Sequence, residues 1–371
     1  MAQLPRLVYR FGVMRRPVSL SRRHLLTGSA AVSAAAALAA ITHGATSHAR
    51  GNHAAAAPKG FVPWSNPGKV VKVSKANTLL ENGLWPKQEA ADQMLARVMA
   101  ELTGKEDLAE AFKLFVHPSD VVAIKPNGIA GKRGATMATN KELVLAIVRG
   151  VVAAGVPASN IIIYEQFKDF LAGTRVVDKD QKIDPEFPAG VRTMVHLNED
   201  AVMDEIKVAS IGTKYVRAFT EATCVINVSQ IKDHSICGYT GAMKNITHGS
   251  IINPHAFHEH NASPQIAQLY AQDVVKSRVR LHITDAFKII YDQGPLDKNP
   301  KRRIPHEALY ASTDPVALDV VGWNVVEHHR KENGLDTLKM AGREPSYIQA
   351  AADLGLGTFD SNKIRLRDVK I

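Results

Sequence analysis

A strand, a helix and a second strand follow one another between residues 120 and 166, and no other part of the chain constrains the fold as strongly. Residues 121–124 form a short apolar run that is typical of a buried strand. Residues 139–142, TNKE, have the form of a capping box and predict the start of a helix, which Gly155 ends. Residues 161–164 form the next apolar run. Two strands joined through a helix in so few residues make a βαβ unit, in which the strands must be parallel.

The same alternation continues toward the C-terminus. Further strands are predicted at residues 225–228, 279–284 and 308–311. Ser263-Pro264 and Asp314-Pro315 each have the form of a helix start, and the second precedes a helical pattern over residues 316–329. Residues 191–220 differ, because short strand-like pieces flank a glycine there and predict a small appended β-hairpin region. We therefore predict an α/β fold with a mainly parallel sheet flanked by helices.

Residues 1–49 have the features of a twin-arginine signal peptide. Arg22 and Arg23 precede an alanine-rich apolar stretch over residues 28–41, and small residues suited to cleavage follow between residues 49 and 57. The apolar stretch is shorter than the roughly 20 residues that span a bilayer, so no transmembrane segment is predicted in the mature chain. We expect the twin-arginine export machinery as a partner and a periplasmic or other extracytoplasmic location. The alternative is an uncleaved amphipathic tail.

Most of the excess positive charge lies in this leader. The formal charge is +10 over 371 residues, but the leader contains six arginines and no acidic residue. The rest of the chain has 40 basic and 36 acidic residues, a formal charge of +4. Because a nucleic-acid-binding surface needs a larger basic excess, we expect no nucleic-acid partner. Residues 50–68, rich in Ala, Gly and Pro, are assigned to a linker, and residues 69–371 to a single α/β domain.

Side chains that can bind a ligand or move a proton are concentrated in residues 224–261. A β-branched apolar run is followed there by Lys232 and His234, and then by Lys244 and Asn245. Ligands of parallel sheets bind beyond the carboxyl ends of the strands. The predicted ends of the other strands carry Lys125, Asn127, Glu165, Asp285 and Asp314. We therefore expect five strand ends to form one functional rim.

Each residue type in this rim suggests a role. Catalysis is predicted for His234, Lys244, His258 and Asp285, because histidine titrates near neutrality and a partly buried lysine can act as a base. Ligand binding is predicted for Lys125, Asn127, Gly131, Lys132, Lys232, Asn245 and Asp314. Gly131 and Lys132 belong to a glycine-rich loop, 128–134, that suits a phosphate or carboxylate at a helix N-terminus. The loop is neither GxGxxG nor a P-loop, so no nucleotide is specified.

The cofactor remains undetermined. His255, His258 and His260 follow Asn253-Pro254 closely, and a divalent metal bound by them is one hypothesis. The alternative is that these histidines are solvated, since the chain contains no HExxH signature. Two cysteines cannot supply the four thiolates of an iron–sulfur cluster, so no such cluster is expected.

Five segments resemble the family called domain of unknown function 362. They are IKPN at 124–127, VSQIKDHSICGYTGAMKN at 228–245, ITDA at 283–286, DQGP at 292–295 and TDPVALD at 313–319. The resemblance covers residues 70–357 and implies an α/β fold. It marks as pattern positions Lys125, Asn127, Lys232, His234, Lys244, Asn245, His258, Asp285, Asp314 and Asp319. Some relatives carry ferredoxin-type clusters, whose cysteines this chain lacks, and the resemblance implies no established reaction.

These observations favour one function and leave two others open. The leading hypothesis is an exported enzyme that acts on a small anionic molecule at the strand-end rim, with a bound metal as an open question. The first alternative is an extracytoplasmic protein that binds an anion or a metal without turnover. The second is an assembly partner of an exported redox protein. The sequence does not specify the substrate or the reaction.

Overall fold

One mixed sheet with helices on both faces organises residues 53–130, 136–196 and 203–371, which are the residues described by this computed structural model. The strands are β1 (Lys69–Ser74), β2 (Val122–Lys125), β3 (Ile161–Glu165), β4 (Arg192–Val195), β5 (Ile206–Val208), β6 (Ile211–Thr213), β7 (Cys224–His234), β8 (Gly238–Thr240), β9 (Val279–Ile290), β10 (Arg303–Ser312) and β11 (Arg365–Lys370). The helices are α1 (Gln88–Thr103), α2 (Leu108–Phe112), α3 (Lys141–Ala153), α4 (Lys168–Gly173), α5 (Arg217–Glu221), α6 (Ala242–His248), α7 (Gln265–Tyr270), α8 (Asp273–Lys276), α9 (Pro315–Glu332) and α10 (Tyr347–Asp353). The predicted signal peptide, Gly131 and Lys132 lie outside the described residues.

The main sheet contains nine of the described strands in the order β11-β1-β10-β9-β7-β2-β3-β4, with β8 paired to β7. Five strand pairs are parallel, and the three antiparallel pairs all involve β10 or β8. Strands β5 and β6 form a separate antiparallel hairpin. The predicted fold class is therefore confirmed, including the small hairpin within residues 191–220.

The direction of β10 corrects one part of the predicted rim. Strand β10 runs antiparallel to both of its neighbours, β1 and β9. Its carboxyl end therefore lies at the end of the sheet where the amino ends of β2, β3 and β7 are found, opposite to their carboxyl ends. Asp314, which follows β10, begins helix α9 there: its Oδ1 accepts the amide of Ala317 at 2.9 Å, and its Oδ2 accepts the amide of Gly68 at 2.8 Å. The expectation that Asp314 shares a rim with the other strand ends is wrong.

Strand β9 is longer than its apolar pattern predicts, and this corrects the position of Asp285. The strand continues to Ile290, so Asp285 is an interior residue that pairs in register with Gln230 and Leu309. Its carboxylate is fully buried and accepts both the backbone and the side-chain amide of Asn140. In the sequence, a polar residue in the middle of a strand has the same appearance as one at a strand end. The partner that allows Asp285 to be buried, Asn140, lies far away in the chain and is not visible in the local pattern.

The two faces of the sheet are covered by different helices. Along β7, alternate apolar side chains pack on opposite sides, Ile226 and Val228 with one core and Val225 and Ile231 with the other. Helices α1, α2 and α3 cover the first face, and α6, α7, α9 and α10 cover the second. Strands buried on both faces explain the long apolar runs of the sequence. Of the helices in the described ranges, none combines the length and the apolarity that crossing a membrane needs.

The predicted capping box does not form, although helix α3 does. Asn140 is the N-cap residue but makes no capping side-chain hydrogen bond. Its neighbours are used for tertiary contacts instead: the Thr139 hydroxyl donates to the carbonyl of Val228, and Glu142 is paired with Arg175. The residue types of a capping box also form hydrogen bonds and ion pairs between separate helices and strands, so the sequence pattern alone does not distinguish the two uses.

Candidate functional site

A cavity of about 670 Å³ lies beyond the carboxyl ends of β2, β3 and β7. Lys125 and Asn127 reach it from the end of β2, Glu165 from the end of β3 and His234 from the end of β7. Helix α6 and the 3-10 turn Pro254–Phe257 supply other parts of the wall. The cavity therefore lies where parallel sheets bind ligands, and its volume is typical of a site for a small molecule.

The structure brings together some of the predicted site residues and separates others. Those that line the cavity are Lys125, Asn127, His234, Lys244, Asn245, His255 and His258. Asp285, Asp314 and His260 do not line it. Lys232 lies behind the wall, where its Nζ donates to the Asn127 side-chain oxygen at 2.9 Å. Three of the four residues predicted to be catalytic thus converge, and Asp285 is the exception.

Helix α6 presents Lys244, Asn245 and His248 to the cavity, and Asp319 of helix α9 holds its first turn. The amides of Ala242 and Met243 donate to the two carboxylate oxygens of Asp319 at 2.5 and 3.1 Å. Burial raises the pKa of Asp319 to about 7. Residue 241 has to be glycine, because a Cβ there would overlap the Asp319 carboxylate. Asp319 is therefore a positioning residue for α6, whereas its sequence context suggests only a polar residue on a helix.

Lys244 is the least compensated group of the cavity wall. Its side chain is 5% exposed, and its Nζ has no hydrogen-bond or ion-pair partner among the described residues. Burial lowers the pKa of Lys244, and among the described groups the Cys237 thiol opposes this effect, with no carboxylate contributing. Thr240 also lines the cavity, and its buried hydroxyl likewise has no hydrogen-bond partner in the described ranges. Because buried polar groups are almost always hydrogen-bonded, these two groups mark a place where a ligand can supply the missing contacts.

His258 has a defined tautomer. Its Nδ1 lies 2.8 Å from the carbonyl oxygen of Pro254, which can only accept, so Nδ1 carries the proton. The lone pair is consequently on Nε2, the ring nitrogen that can accept a proton or bind a metal. Burial, followed by the charge of Lys244, lowers the pKa of His258 to about 4. His258 is therefore neutral at physiological pH and presents an acceptor.

His234 has the opposite tautomer. Its Nδ1 accepts the backbone amides of Ile236 and Cys237 at 3.1 and 3.4 Å, so the proton of the neutral ring is on Nε2. Burial, Lys244 and His258 lower the pKa of His234 to about 2. The His234 and His258 rings are stacked with centroids 5.8 Å apart. The pair thus offers one N–H donor and one lone pair side by side.

The backbone that carries His234 is fixed by a buried ion-pair cluster. Asp233 binds the guanidinium of Arg343 and accepts the amide of Gly294 at 3.0 Å. Arg343 also donates to the His234 carbonyl at 3.0 Å. A Cβ at residue 294 would overlap the carbonyl of Asp233, so only glycine fits there. These contacts explain why the segment DQGP occurs near the site although it does not line the cavity.

Lys125 differs from Lys244 because its charge is fully paired. Its Nζ donates to Glu165 Oε1 at 2.7 Å and to the carbonyl of Pro126 at 2.7 Å. The amides of Gly128 and Gln166 donate to the same carboxylate at 2.6 and 2.9 Å. Glu165 is the one acid among the described residues that line the cavity, and this pairing neutralises it. The remaining free groups favour an anionic ligand.

A chain of buried side-chain hydrogen bonds extends from the cavity wall into the sheet. Its members, in order from donor to acceptor, are Lys232, Asn127, Asn245, Asn227, His282 and Tyr270. Burial lowers the pKa of Lys232 to about 7. Each amide accepts from one neighbour and donates to the next, so the chain fixes the orientation of Asn127 and Asn245.

The three histidines proposed as metal ligands do not form one group. His255 and His258 both line the cavity, with ring centroids 6.2 Å apart, whereas His260 is exposed outside it. His248 lies nearer to His258, at 4.8 Å, but its Nε2 is within 3.1 Å of the Phe257 carbonyl and donates to it. In the described part of the chain, ligand atoms within 4.8 Å of one another occur at His328, His329 and Glu332 of α9. That group could hold a metal ion, and it lies outside the cavity wall.

The sequence interpretation missed Thr240 and assigned Asp319 no role at the site. Thr240 lies between the glycines at 238 and 241, and this spacing indicates a backbone that approaches its neighbours closely. Asp319 is one turn beyond the proline that opens a helix, where an acidic side chain is ordinarily exposed to solvent. Its function depends on α6, which lies more than 70 residues earlier in the chain.

Comparison with known proteins gives a family but no activity. A family model described as "Domain of unknown function (DUF362)" matches residues 122–324. No curated protein matches the chain. The fold is similar to the structure of the lactate racemase apoprotein from Thermoanaerobacterium thermosaccharolyticum, at 12% identity and a TM-score of 0.42. The match covers 69% of this chain and 57% of that one.

Proposed function

This chain belongs to the family described as Domain of unknown function (DUF362), and because that description assigns no reaction, we propose a function from the cavity itself. The protein binds a small molecule that carries a carboxylate or phosphate group, and it catalyses a proton transfer on that molecule. Membership confirms the resemblance of the sequence segments, and it places the matched region across β2, α6 and β9.

The partnerless Lys244 side chain carries this proposal. Removing an ammonium from water without a counter-charge is costly, and this cost is offset when an anion binds beside it. The hydroxyl of Thr240 and the Nε2–H of His234 are further donors in the same cavity. Three donors and no uncompensated acid, among the described lining residues, match an oxyanion better than a cation or an apolar molecule.

His258 supports the catalytic part of the proposal. It lines the same cavity as these donors, and its Nε2 lone pair is available as an acceptor at neutral pH because the ring is neutral. The same lone pair could ligate a divalent metal, which would act as a Lewis acid there. The tautomer of His234 does not suit ligation through Nε2, since that nitrogen carries the proton.

Binding is tested by calorimetric titration of the purified protein with a panel of small carboxylates and phosphate. A charge-assisted hydrogen bond contributes about 1.5–3 kcal/mol, so Lys244→Met should weaken the best ligand roughly 10- to 150-fold. Lys363→Met is the matched control, because that lysine side chain is 76% exposed and does not line the cavity. Equal affinity in wild type and Lys244→Met would refute the proposed anion site.

Turnover separates the enzyme from a binding protein. Proton NMR in D2O, with and without added divalent metal, should show loss of a carbon-bound proton signal from the best ligand. His258→Gln should keep the affinity and lose the exchange, because glutamine cannot accept the proton. Tight binding without exchange in the wild type would favour the alternative of an extracytoplasmic binding protein.

We also propose export by the twin-arginine route, which rests on the arginine pair and apolar stretch of residues 1–49. A fusion of the leader to a reporter that folds before export should reach the periplasm of a bacterial host. Replacing Arg22 and Arg23 by lysine should retain the reporter in the cytoplasm. Unchanged export of that variant would refute the proposal.

A further inference from the structure

The surroundings of Lys244 let its ammonium, which attracts the anion, lose a proton more readily than an exposed lysine does. His234 and His258, both neutral rings, line the same cavity as Lys244, and the buried Cys237 thiol interacts electrostatically with it. None of the described carboxylates forms an ion pair with it. Lys125, on the same cavity wall, is in contrast paired with Glu165. A lysine that is desolvated without a counter-charge is a nucleophile at lower pH than an exposed one.

We infer that the Lys244 amine forms an imine with the carbonyl carbon of a small 2-oxo carboxylate bound in the cavity. This inference rests on the proposed function for the binding of the carboxylate and adds the substrate class and a covalent step. The partnerless Nζ, its place in a cavity of about 670 Å³ and the donors around it are the observations that carry it.

The carboxylate of such a molecule has its own donors. The Thr240 hydroxyl is buried, lacks a partner and lines the cavity. The His234 Nε2–H is the second donor, and its ring is held in place by two backbone amides. Because these donors are uncharged, they can bind the carboxylate without requiring Lys244 to remain protonated. The 2-oxo group is adjacent to the carboxylate, so it is brought toward the amine.

The step is balanced with the groups present. The nitrogen lone pair of Lys244 attacks the carbonyl carbon, and the carbonyl oxygen becomes a hydroxyl as the nitrogen loses one proton. His258 Nε2 accepts a proton from the nitrogen and returns it to that hydroxyl. The C–O bond breaks and the hydroxyl leaves as water, while a C=N bond forms. The net reaction joins one amine and one ketone and releases one water.

Reductive trapping tests the inference with pyruvate as the probe. The full-length protein is incubated with pyruvate and sodium cyanoborohydride, which reduces an imine to a stable secondary amine. Peptide mass spectrometry should find the reduced pyruvate adduct on Lys244 and leave Lys125 unmodified, because the Lys125 ammonium is paired. Adduct on Lys125 or on surface lysines at the same yield as on Lys244 would overturn the inference.

Lys244→Arg separates this inference from the proposed function. Arginine keeps a positive side chain at the site but cannot form the imine, so pyruvate should still bind while trapping falls to the background of Lys363. Lactate, which has a hydroxyl group in place of the 2-oxo group, should compete with pyruvate in the wild type and form no adduct. Binding of pyruvate to the wild type without trapping would overturn the imine and leave the anion site intact. Absence of any binding would instead refute the proposed function.

Discussion

Two lysines of one cavity wall should have opposite effects on stability when each is replaced by methionine. Methionine retains the length of the side chain and removes the charge. For Lys244, no described partner is lost, and the cost of burying an uncompensated polar group is removed. Lys244→Met should therefore raise the free energy of unfolding by about 1–3 kcal/mol. Such a gain is common where a wild-type residue serves function at the expense of stability.

For Lys125, methionine should lower the free energy of unfolding. Its removal leaves the 3% exposed carboxylate of Glu165 without a counter-charge, and breaking a buried pair in this way costs about 3–5 kcal/mol. The amides of Gly128 and Gln166 still donate to Glu165, so we expect a value near the lower limit of that range. The difference between the two variants should thus be about 4 kcal/mol or more.

Urea unfolding at several pH values measures both effects. Burial lowers the pKa of Lys244 below its ordinary value of 10.5, so the unfolded wild type binds more protons than the folded protein just below pH 10.5. Wild-type stability therefore rises with pH in that window, and Lys244→Met lacks this rise. The advantage of the variant should shrink as the pH approaches 10.5. A Lys244→Met protein that is less stable than wild type at pH 7 would refute the reasoning, because the lysine would then make a stabilising contact that methionine cannot make.

Three further predictions concern the groups that position the site. His258→Gln should remove a pH-dependent contribution to stability. The pKa of His258 is lowered from 6.5 to about 4, so the free energy of unfolding of the wild type rises with pH between these two values. Urea unfolding of the variant should show no such rise. Above the Asp319 pKa of about 7, Asp319→Ala should cost about 1.5–3 kcal/mol of stability, because two amides of α6 then lose a charged acceptor. The same variant should weaken anion binding in calorimetry through displacement of Lys244. Unchanged affinity would contradict the positioning role. Gly294→Ala should cost about 1–3 kcal/mol, because the new methyl group overlaps the Asp233 carbonyl, and NMR should show a shifted His234 ring signal.

The fold was predictable where local pattern and topology agree. The βαβ unit from β2 to β3 follows from two apolar runs, a helix and the rule for parallel connections, and the structure contains it. The direction of β10 was not predictable in this way, because its apolar run has the same appearance in either direction. The antiparallel pairing with β9 depends on the connection over residues 291–302, which carries one 3-10 turn and no α-helix that would force a parallel return.

The site was predictable in its location and only partly in its members. Lys125 and His234 end parallel strands, so the strand-end rule brings them together. The prediction that Asp285 lies at a strand end is wrong, because a buried partner, Asn140, allows its carboxylate to remain inside the strand. The sequence could not distinguish the paired Lys125 from the unpaired Lys244, since only the fold shows that Glu165 reaches one of them.

The dependence of the cavity on distant residues determines when it can assemble during synthesis. Helix α6 needs the carboxylate of Asp319, and the end of β7 needs the guanidinium of Arg343. Both lie well after Lys244 in the chain, so a nascent polypeptide that has emerged only through residue 300 has the lysine but neither support. The cavity wall is therefore completed only near the end of translation. Fragments that stop before residue 319 should retain parts of the sheet and bind no anion.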